Sequence, residues 1–298
     1  MKAWTRKVFI LFALFSIYSP FLTAQTLQRF EYEQPKIGTT IKIIFYADAQ
    51  YFADSIAKVA YQKVDTLNQI LSNYLPESEV NRLSQQAGNR KWIKVSKELW
   101  TVLSFGQRMA KQSKGKFDMT IAPLSKLWRK AFRQQTFPKK ENIKVAKKLV
   151  NYKQLELNPT KQSARLKHSD MCLDLGGIAK GYIVDETVGL LQNAGIQSIL
   201  VDAGGDIRVT TPPPDQNTWK IQLGEKQLDL QHIAIATSGA TYQYLEWNSK
   251  RFSHIIHPKK GKGISNPHTV TVKAKTCMEA DVWASLLSVK GKRGIYHK

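Results

Sequence analysis

The sequence has few acidic residues and few cysteines. Of its 298 residues, 45 are Lys or Arg and only 23 are Asp or Glu, which gives a formal net charge of +22. Two cysteines, Cys172 and Cys277, exclude a disulfide scaffold, and we expect both thiols to be free and partly buried. A disulfide between them stays open as an alternative, because sequence does not give the distance between the two Cα atoms.

The chain also lacks an apolar run of comfortable membrane-spanning length. Its N-terminal apolar run, from Val8 to Ile17, is short, follows a basic start and precedes the small-residue site Leu22-Thr23-Ala24. This pattern predicts an export signal over residues 1–24 and one domain over residues 25–298. We expect an exported protein, in the periplasm or at the periplasmic face of the inner membrane; an uncleaved anchor is the alternative.

The excess of positive charge raises the question of the partner. Without residues 1–24, which contain three basic and no acidic residues, the net charge is still +19. The lysines are dispersed, however, and no zinc-finger, RRM or helix-turn-helix signature accompanies them. We therefore expect no nucleic-acid partner, but a solvated cationic surface suited to acidic partners or to peripheral association with anionic membranes.

Hydrophobic periodicity predicts strands and helices in runs and not in strict alternation. The predicted strands lie near residues 37–46, 155–157, 164–166, 199–201, 219–223, 233–236 and 270–272, and the predicted helices near 56–71, 99–109, 139–150, 179–194 and 278–289. This order favours an α+β fold with mixed or antiparallel sheets flanked by helices over a doubly wound sheet.

The most informative segment is Asp174-Leu175-Gly176-Gly177-Ile178-Ala179-Lys180, which is followed by Asp202-Ala203-Gly204-Gly205-Asp206. Adjacent glycines let the backbone approach a ligand, and the start of a helix favours an anion. A nucleotide phosphate is the ligand that this pattern suggests. The spacing matches neither a P-loop nor a dinucleotide-binding motif, so we expect a different kind of phosphate site.

A second candidate site lies on the last predicted helix. Asp281 and Ser285 are four residues apart, so they share one face of the helix. Their oxygen atoms can hold a single hard cation such as Mg²⁺.

Seven segments together resemble the ApbE family of FAD:protein FMN transferases over nearly the whole predicted domain. In the family's order they are residues 71–74 with 78–80, Gly115 to Thr120 with Pro123, Leu124 and Trp128, the Asp174 and Asp206 segments, Thr237-Ser238-Gly239, His254-Ile255-Ile256, and Cys277 to Asp281. The resemblance implies an ApbE-like α+β fold that binds FAD and Mg²⁺. It also implies transfer of FMN to a Ser or Thr hydroxyl of an acceptor flavoprotein, with release of AMP.

The resemblance also implies roles for individual residues. Asp281, Ser285 and the backbone carbonyl of Gly177 would bind the metal, with Ser285 in place of the family's threonine. His254 would be catalytic, activating the acceptor hydroxyl or contacting the pyrophosphate. The residues expected around FAD are Ile37, Tyr74, Lys116, Phe117, Asp118, Asp174, Lys180, Ile255 and Met278.

The sequence departs from the family in two places. His257 precedes Pro258 where the family usually has an acidic residue, and the sequence ends at Lys298 where the family continues with more helix and a final strand. Two alternatives therefore stay open: an FAD pyrophosphatase that yields FMN and AMP, and a non-catalytic flavin-binding protein. Ser238-Gly239-Ala240-Thr241 also resembles the acceptor sequence that the family flavinylates, so self-flavinylation is a further, disfavoured alternative.

Overall fold

The computed structural model describes residues 26–239, 244–265 and 268–298. The predicted export signal lies outside these ranges, as do Ala240 and Thr241 of the acceptor-like sequence. Within the same ranges, no helix combines the length and the apolar content that a crossing of the bilayer requires.

The strands and helices are interspersed along the chain. The strands are β1 (Gln28–Lys36), β2 (Thr39–Ala47), β3 (Ile93–Lys94), β4 (Leu155–Asn158), β5 (Ser163–Leu166), β6 (Ile199–Ala203), β7 (Asp206–Val209), β8 (Trp219–Leu223), β9 (Lys226–Leu230), β10 (Ile233–Ser238), β11 (Tyr244–Trp247), β12 (Lys250–Ser253), β13 (Ile256–His257), β14 (Lys262–Gly263), β15 (Val270–Ala274) and β16 (Gly294–His297). The helices are α1 (Gln50–Leu71), α2 (Glu79–Gln85), α3 (Lys97–Gln112), α4 (Ala122–Gln134), α5 (Lys140–Lys148), α6 (Ala179–Asn193) and α7 (Cys277–Val289).

The central sheet has seven strands in the order β1-β2-β6-β7-β10-β15-β16. Neighbouring strands are antiparallel, except that β15 and β16 are parallel and are connected through α7. Smaller sheets are formed by β3-β5-β4, β8-β9, β11-β12 and β13-β14. The fold is therefore α+β with a mixed sheet, and the prediction from sequence is confirmed.

The main core lies between one face of the central sheet and helices α1, α3 and α6. Alternate residues of β2 point into it, so Ile41, Ile43 and Phe45 are fully buried. Ile44 points to the opposite face and packs in a separate cluster with Trp219 of β8. This period of two is what made β2 recognisable in the sequence.

Several helix starts are fixed by local hydrogen bonds. The hydroxyls of Ser78, Ser96 and Thr276 accept backbone N–H groups at the first turns of α2, α3 and α7 respectively. Such caps satisfy donors that have no partner within the helix. For α7 this places the first turn just before Asp281.

The structure corrects two sequence predictions and adds elements that were not predicted. The strand expected from residue 37 starts at Thr39, because Ile37 and Gly38 form the turn after β1 with φ of 48° and 78°. The sequence analysis missed the helices α2 and α4 and the strands β1, β3, β7, β9, β11, β12, β13 and β14. A final strand after α7 was expected to be absent, yet β16 pairs with β15. The cysteine prediction is confirmed, since both thiols are free, Cys277 buried and Cys172 partly buried.

Candidate functional site

The glycine loop before α6 packs against α7. A Cβ atom placed on Gly177 would lie 3.1 Å from the Ser285 Oγ and 3.5 Å from a ring carbon of Phe117. The structure thus brings together three predicted site residues that are far apart in sequence. They meet at the N-terminal end of α6, where a helix favours an anion.

Helices α6 and α7 approach so closely that only glycine fits between them. A Cβ on Gly181 would lie 2.6 Å from the carbonyl carbon of Cys277. The Gly181 N–H instead donates to the Asp281 carboxylate over 3.3 Å. Asp281 is thereby held at the first turn of α6, where the Gly177 and Ser285 contact also lies.

The charges around Asp281 are buried. Burial, and then the nearby Asp206 carboxylate, raise the pKa of Asp281 to about 8. Burial also raises the pKa of Asp206, which forms an ion pair with Lys180. Burial alone would lower the pKa of Lys180, but Asp206 and Asp281 outweigh it and raise that pKa. Two carboxylates therefore share one ammonium group in a buried environment.

This arrangement fits a small hard cation. The Asp281 carboxylate, the Ser285 hydroxyl and the Gly177 backbone supply only oxygen donors, which Mg²⁺ prefers. A cation would also balance the negative charge of the Asp281 carboxylate, because Lys180 already pairs with Asp206. Across the described part of the chain no three His, Cys, Asp or Glu side chains form a metal cluster, so binding of a cation here would rely on hydroxyl and backbone oxygens beside Asp281.

Asp185 fixes the start of α7 and was missed by the sequence analysis. Its two carboxylate oxygens each accept a backbone N–H over 2.9 Å, one from Cys277 and one from Met278. Arg208 pairs with the same carboxylate at 2.7 Å. Met278 is one of the residues predicted to contact FAD, and the hydrogen bond from its backbone N–H to Asp185 fixes its position where α6 and α7 meet. The sequence feature that points to Asp185 is an acidic residue directly after the apolar pair Ile183-Val184.

Tyr74 and Asp174 are joined by another residue that the sequence analysis missed, Arg129 of α4. The Arg129 guanidinium carbon lies 4.4 Å from the centroid of the Tyr74 ring, and its Nη2 lies 3.0 Å from the Asp174 carboxylate. Asp174 also accepts the Gly176 N–H over 2.9 Å, which shapes the glycine loop. The Tyr74 side chain is 72% exposed and so presents an aromatic face at the surface.

Asp118 holds the segment after α3 in place. One carboxylate oxygen accepts the N–H and the hydroxyl of Thr120, and the other accepts the Tyr152 N–H. Burial raises its pKa despite these bonds. The next residue, Met119, accepts the Asp174 N–H over 2.8 Å and so ties this segment to the glycine loop. A direct contact of Asp118 with flavin stays a prediction.

The histidine segment lies outside the central sheet, with His254 and Ile255 between β12 and β13. His254 is exposed, and the N–H of the half-buried Ile255 donates to the Ser253 Oγ over 3.0 Å. Burial, followed by the charges of Lys260 and Lys116, lowers the pKa of His257. A direct contact of Lys116 or His254 with the other predicted site residues stays a prediction.

Ile37 lies at the β1–β2 turn, where its partly buried side chain packs against the main core. Its neighbour Thr39 abuts the second glycine segment, because a Cβ on Gly204 would lie 3.2 Å from the Thr39 Cβ. The turn is thus positioned beside residues 202–206, which supply Asp206.

The sequence and the fold are similar to known proteins. A sequence model of the ApbE family matches residues 37–297. A Vibrio cholerae protein named FAD:protein FMN transferase is 31% identical over 274 residues, which is 87% of this chain and 80% of the relative. Its Escherichia coli K12 namesake is 29% identical over 258 residues, covering 82% and 73% of the two chains. The structure of a histidine-to-glycine variant of flavin transferase ApbE from Vibrio cholerae matches with a TM-score of 0.81 and 28% identity, over 89% of this chain and 88% of the other.

Proposed function

Because this chain belongs to the ApbE family, we propose that it transfers FMN from FAD to a Ser or Thr hydroxyl of an acceptor protein and releases AMP. The names of the relatives support the activity. The observation that carries it in this chain is the meeting of Gly177, Ser285 and Asp281 at the start of α6. The helix start suits an anionic pyrophosphate, and the oxygen ligands suit the cation that would accompany it.

In this proposal the reaction is a displacement at phosphorus. The acceptor oxygen bonds to the FMN phosphorus, the bond from that phosphorus to the AMP oxygen breaks, and the hydroxyl proton passes to His254. Mg²⁺ held by Asp281, Ser285 and Gly177 would neutralise phosphate charge. Lys180 stays paired with Asp206 and keeps the surroundings of Asp281 from being doubly anionic.

The remaining predicted residues would orient FAD. Tyr74 offers an exposed aromatic face for a flat ring, and Arg129 beneath it restrains that ring. His254 is exposed, which suits a group that must meet the hydroxyl of a second protein. We also propose, from residues 1–24, that the enzyme works outside the cytoplasm at the periplasmic face of the membrane.

Mass spectrometry tests this function. The protein is incubated with FAD, Mg²⁺ and a candidate acceptor, and the Asp281→Ala variant serves as the control. The expected product is an acceptor whose mass has increased by that of FMN less one water molecule, formed together with AMP. Free FMN with an unmodified acceptor would identify a pyrophosphatase instead, and unchanged FAD that stays bound would identify a flavin-binding protein.

A further inference from the structure

A cavity of about 670 Å³ lies between α3 and β4. None of the residues that line it is predicted to bind FAD, the metal or the acceptor hydroxyl. Its volume lies in the ordinary range for sites that bind small molecules. Several of its lining residues follow the helical period of α3 and share one face of that helix: Trp100, Ser104, Gln107, Arg108 and Lys111.

Two oxygen atoms of the lining residues lack hydrogen-bond partners. The Gln107 Nε2 donates to the backbone carbonyls of Tyr152 and Leu155 over 2.9 Å and 3.0 Å, which fixes the orientation of the amide. In the described part of the chain, neither the buried Oε1 of Gln107 nor the buried Oγ of Ser104 has a partner. Gln107 is only 9% exposed. Because a buried acceptor without a donor is costly, both oxygens favour a ligand that brings an N–H or O–H group.

Two tryptophans line the same cavity. Trp92 lies just before β3 and is 37% exposed, and Trp100 packs against the main core. The guanidinium carbon of Arg165, which is not a lining residue, lies 4.4 Å from the centroid of the Trp92 ring. Arg165 therefore restrains this indole from outside the cavity. A restrained, partly exposed indole offers a flat surface on which another flat ring can stack.

The charged residues that line the cavity leave it cationic. Arg108, Lys111 and Lys153 all line it, and none of them forms an ion pair within the described ranges. The acidic lining residue, Glu156, is already paired with Arg165 at 2.6 Å. Unpaired cations around a concave surface create a local positive potential, which favours a ligand with an anionic group.

We propose that this cavity binds a small aromatic anion, with a flat ring, a hydrogen-bond donor on the ring and a carboxylate or phosphate group. The ring stacks on Trp92, the donor reaches Gln107 and Ser104, and the anionic group lies near Lys111. The free acceptors belong to buried atoms, so the ligand must enter the cavity to meet them, as a small molecule can. This inference goes beyond the proposed function and does not depend on it.

Four probes test the chemistry of the ligand. Calorimetric titration of the protein compares the anions 4-aminobenzoate and AMP with their neutral counterparts 4-aminobenzamide and adenosine. We expect an anion to bind about tenfold more tightly than its counterpart, with a difference that shrinks as salt is raised. Binding of 4-aminobenzoate alone identifies a carboxylate ligand, and binding of AMP alone identifies a phosphate ligand.

Substitutions place the binding in the cavity. Trp92→Leu removes the stacking surface and should weaken binding of the anion by about fivefold. The double variant Arg108→Gln/Lys111→Gln should remove most of the preference for the anion over its neutral counterpart. Lys58→Gln/Lys97→Gln removes two exposed cations that do not line the cavity, and this matched control should keep the affinity of the wild-type protein. Melting temperatures show that each variant is folded.

Three results would overturn the proposal. The first is the absence of binding by either anion at about 1 mM. The second is equal affinity for an anion and its neutral counterpart at low salt. The third is anion binding that Trp92→Leu and Arg108→Gln/Lys111→Gln retain in full, and its loss in Asp281→Ala would then assign it to the candidate functional site. The outcome of the FMN transfer assay has no bearing on any of these results, so the two proposals can fail separately.

Discussion

At the scale of single residues, Asp281 is the most exacting test of the candidate metal site. Asp281→Ala should abolish transfer and leave the protein folded, because the Lys180–Asp206 ion pair remains complete while a carboxylate ligand is lost. Transfer rates at limiting and saturating Mg²⁺, with a thermal melt, measure both effects. Near-wild-type transfer at limiting Mg²⁺ would contradict the assignment.

Ser285 gives a matched pair of substitutions at the same site. Ser285→Thr retains the hydroxyl and should preserve activity, whereas Ser285→Ala removes an oxygen donor and should raise the Mg²⁺ concentration required for half-maximal transfer. The Mg²⁺ dependence of both variants checks this. If both variants behave like the wild-type protein, Ser285 is not a ligand.

His254 and His257 lie three residues apart and have different expected roles. If His254 takes the proton of the acceptor hydroxyl, His254→Ala should lower the transfer rate by about 10²–10⁴-fold with little change in FAD affinity. His257→Asp restores the family's usual acidic residue and should leave activity equal or higher. A silent His254→Ala with an inactive His257→Asp would show that His254 was wrongly assigned, and loss of FAD affinity would place its ring at the pyrophosphate.

His257 also predicts a pH dependence of stability. Burial and the neighbouring lysines lower its pKa below the ordinary value of 6.5, so the folded protein disfavours the charged ring. Its contribution to stability is therefore fully present above pH 6.5 and is lost as the pH falls through that value. Denaturant midpoints at pH 7.5 and 5.5 should differ more for the wild-type protein than for His257→Gln. An equal difference in both would refute this.

Sequence could predict those site residues that a local pattern reveals. The four-residue spacing of Asp281 and Ser285 and the glycines before α6 are such patterns. Arg129 shows no such pattern, and the acid after Ile183-Val184 marks Asp185 without revealing its partners. Both residues act on others, Asp174, Cys277 and Met278, that are 45, 92 and 93 residues away. Contacts of that separation depend on the fold and not on a motif.

At the scale of elements, the α6–α7 contact gives a prediction with an internal control. Gly181→Ala should destabilise the protein by about 1–3 kcal/mol, because the added Cβ overlaps the Cys277 backbone. Gly189→Ala lies on the same helix with open space around it and should stabilise by about 0.5–1 kcal/mol through helix propensity. Denaturant unfolding of both variants measures this, and equal effects would contradict the close packing.

The sequence predicted those strands and helices that bury one face and expose the other, because this produces a regular pattern of apolar residues. β2 alternates along its length, and α1 and α3 each bury one face. β1 is an edge strand with alternating exposed residues such as Glu31 and Glu33, so its composition resembles that of a loop. α2 has only seven residues, too few to establish a helical period.

At the scale of the whole molecule, the excess of positive charge should oppose folding at low ionic strength. Lys and Arg outnumber Asp and Glu by 45 to 23, so repulsion in the compact state is screened when salt is added. Raising NaCl from about 0.02 M to about 0.2 M shortens the Debye length from about 20 Å to about 7 Å. This should raise the melting temperature by about 2–4 °C. A flat or falling melting temperature would show that the charges are already balanced locally.

The connection of α7 to β15 and β16 has a consequence for how fast a ligand is captured. Both ends of this helix lead into neighbouring strands of the central sheet, and its inner face packs on β10 and β15. The helix that presents Asp281 and Ser285 therefore cannot swing outward unless the edge strand separates. The conformation that binds a ligand at Asp281 and Ser285 is then already populated in the free protein. The ligand's affinity is therefore not reduced by a conformational equilibrium, and its association rate is set by diffusional encounter.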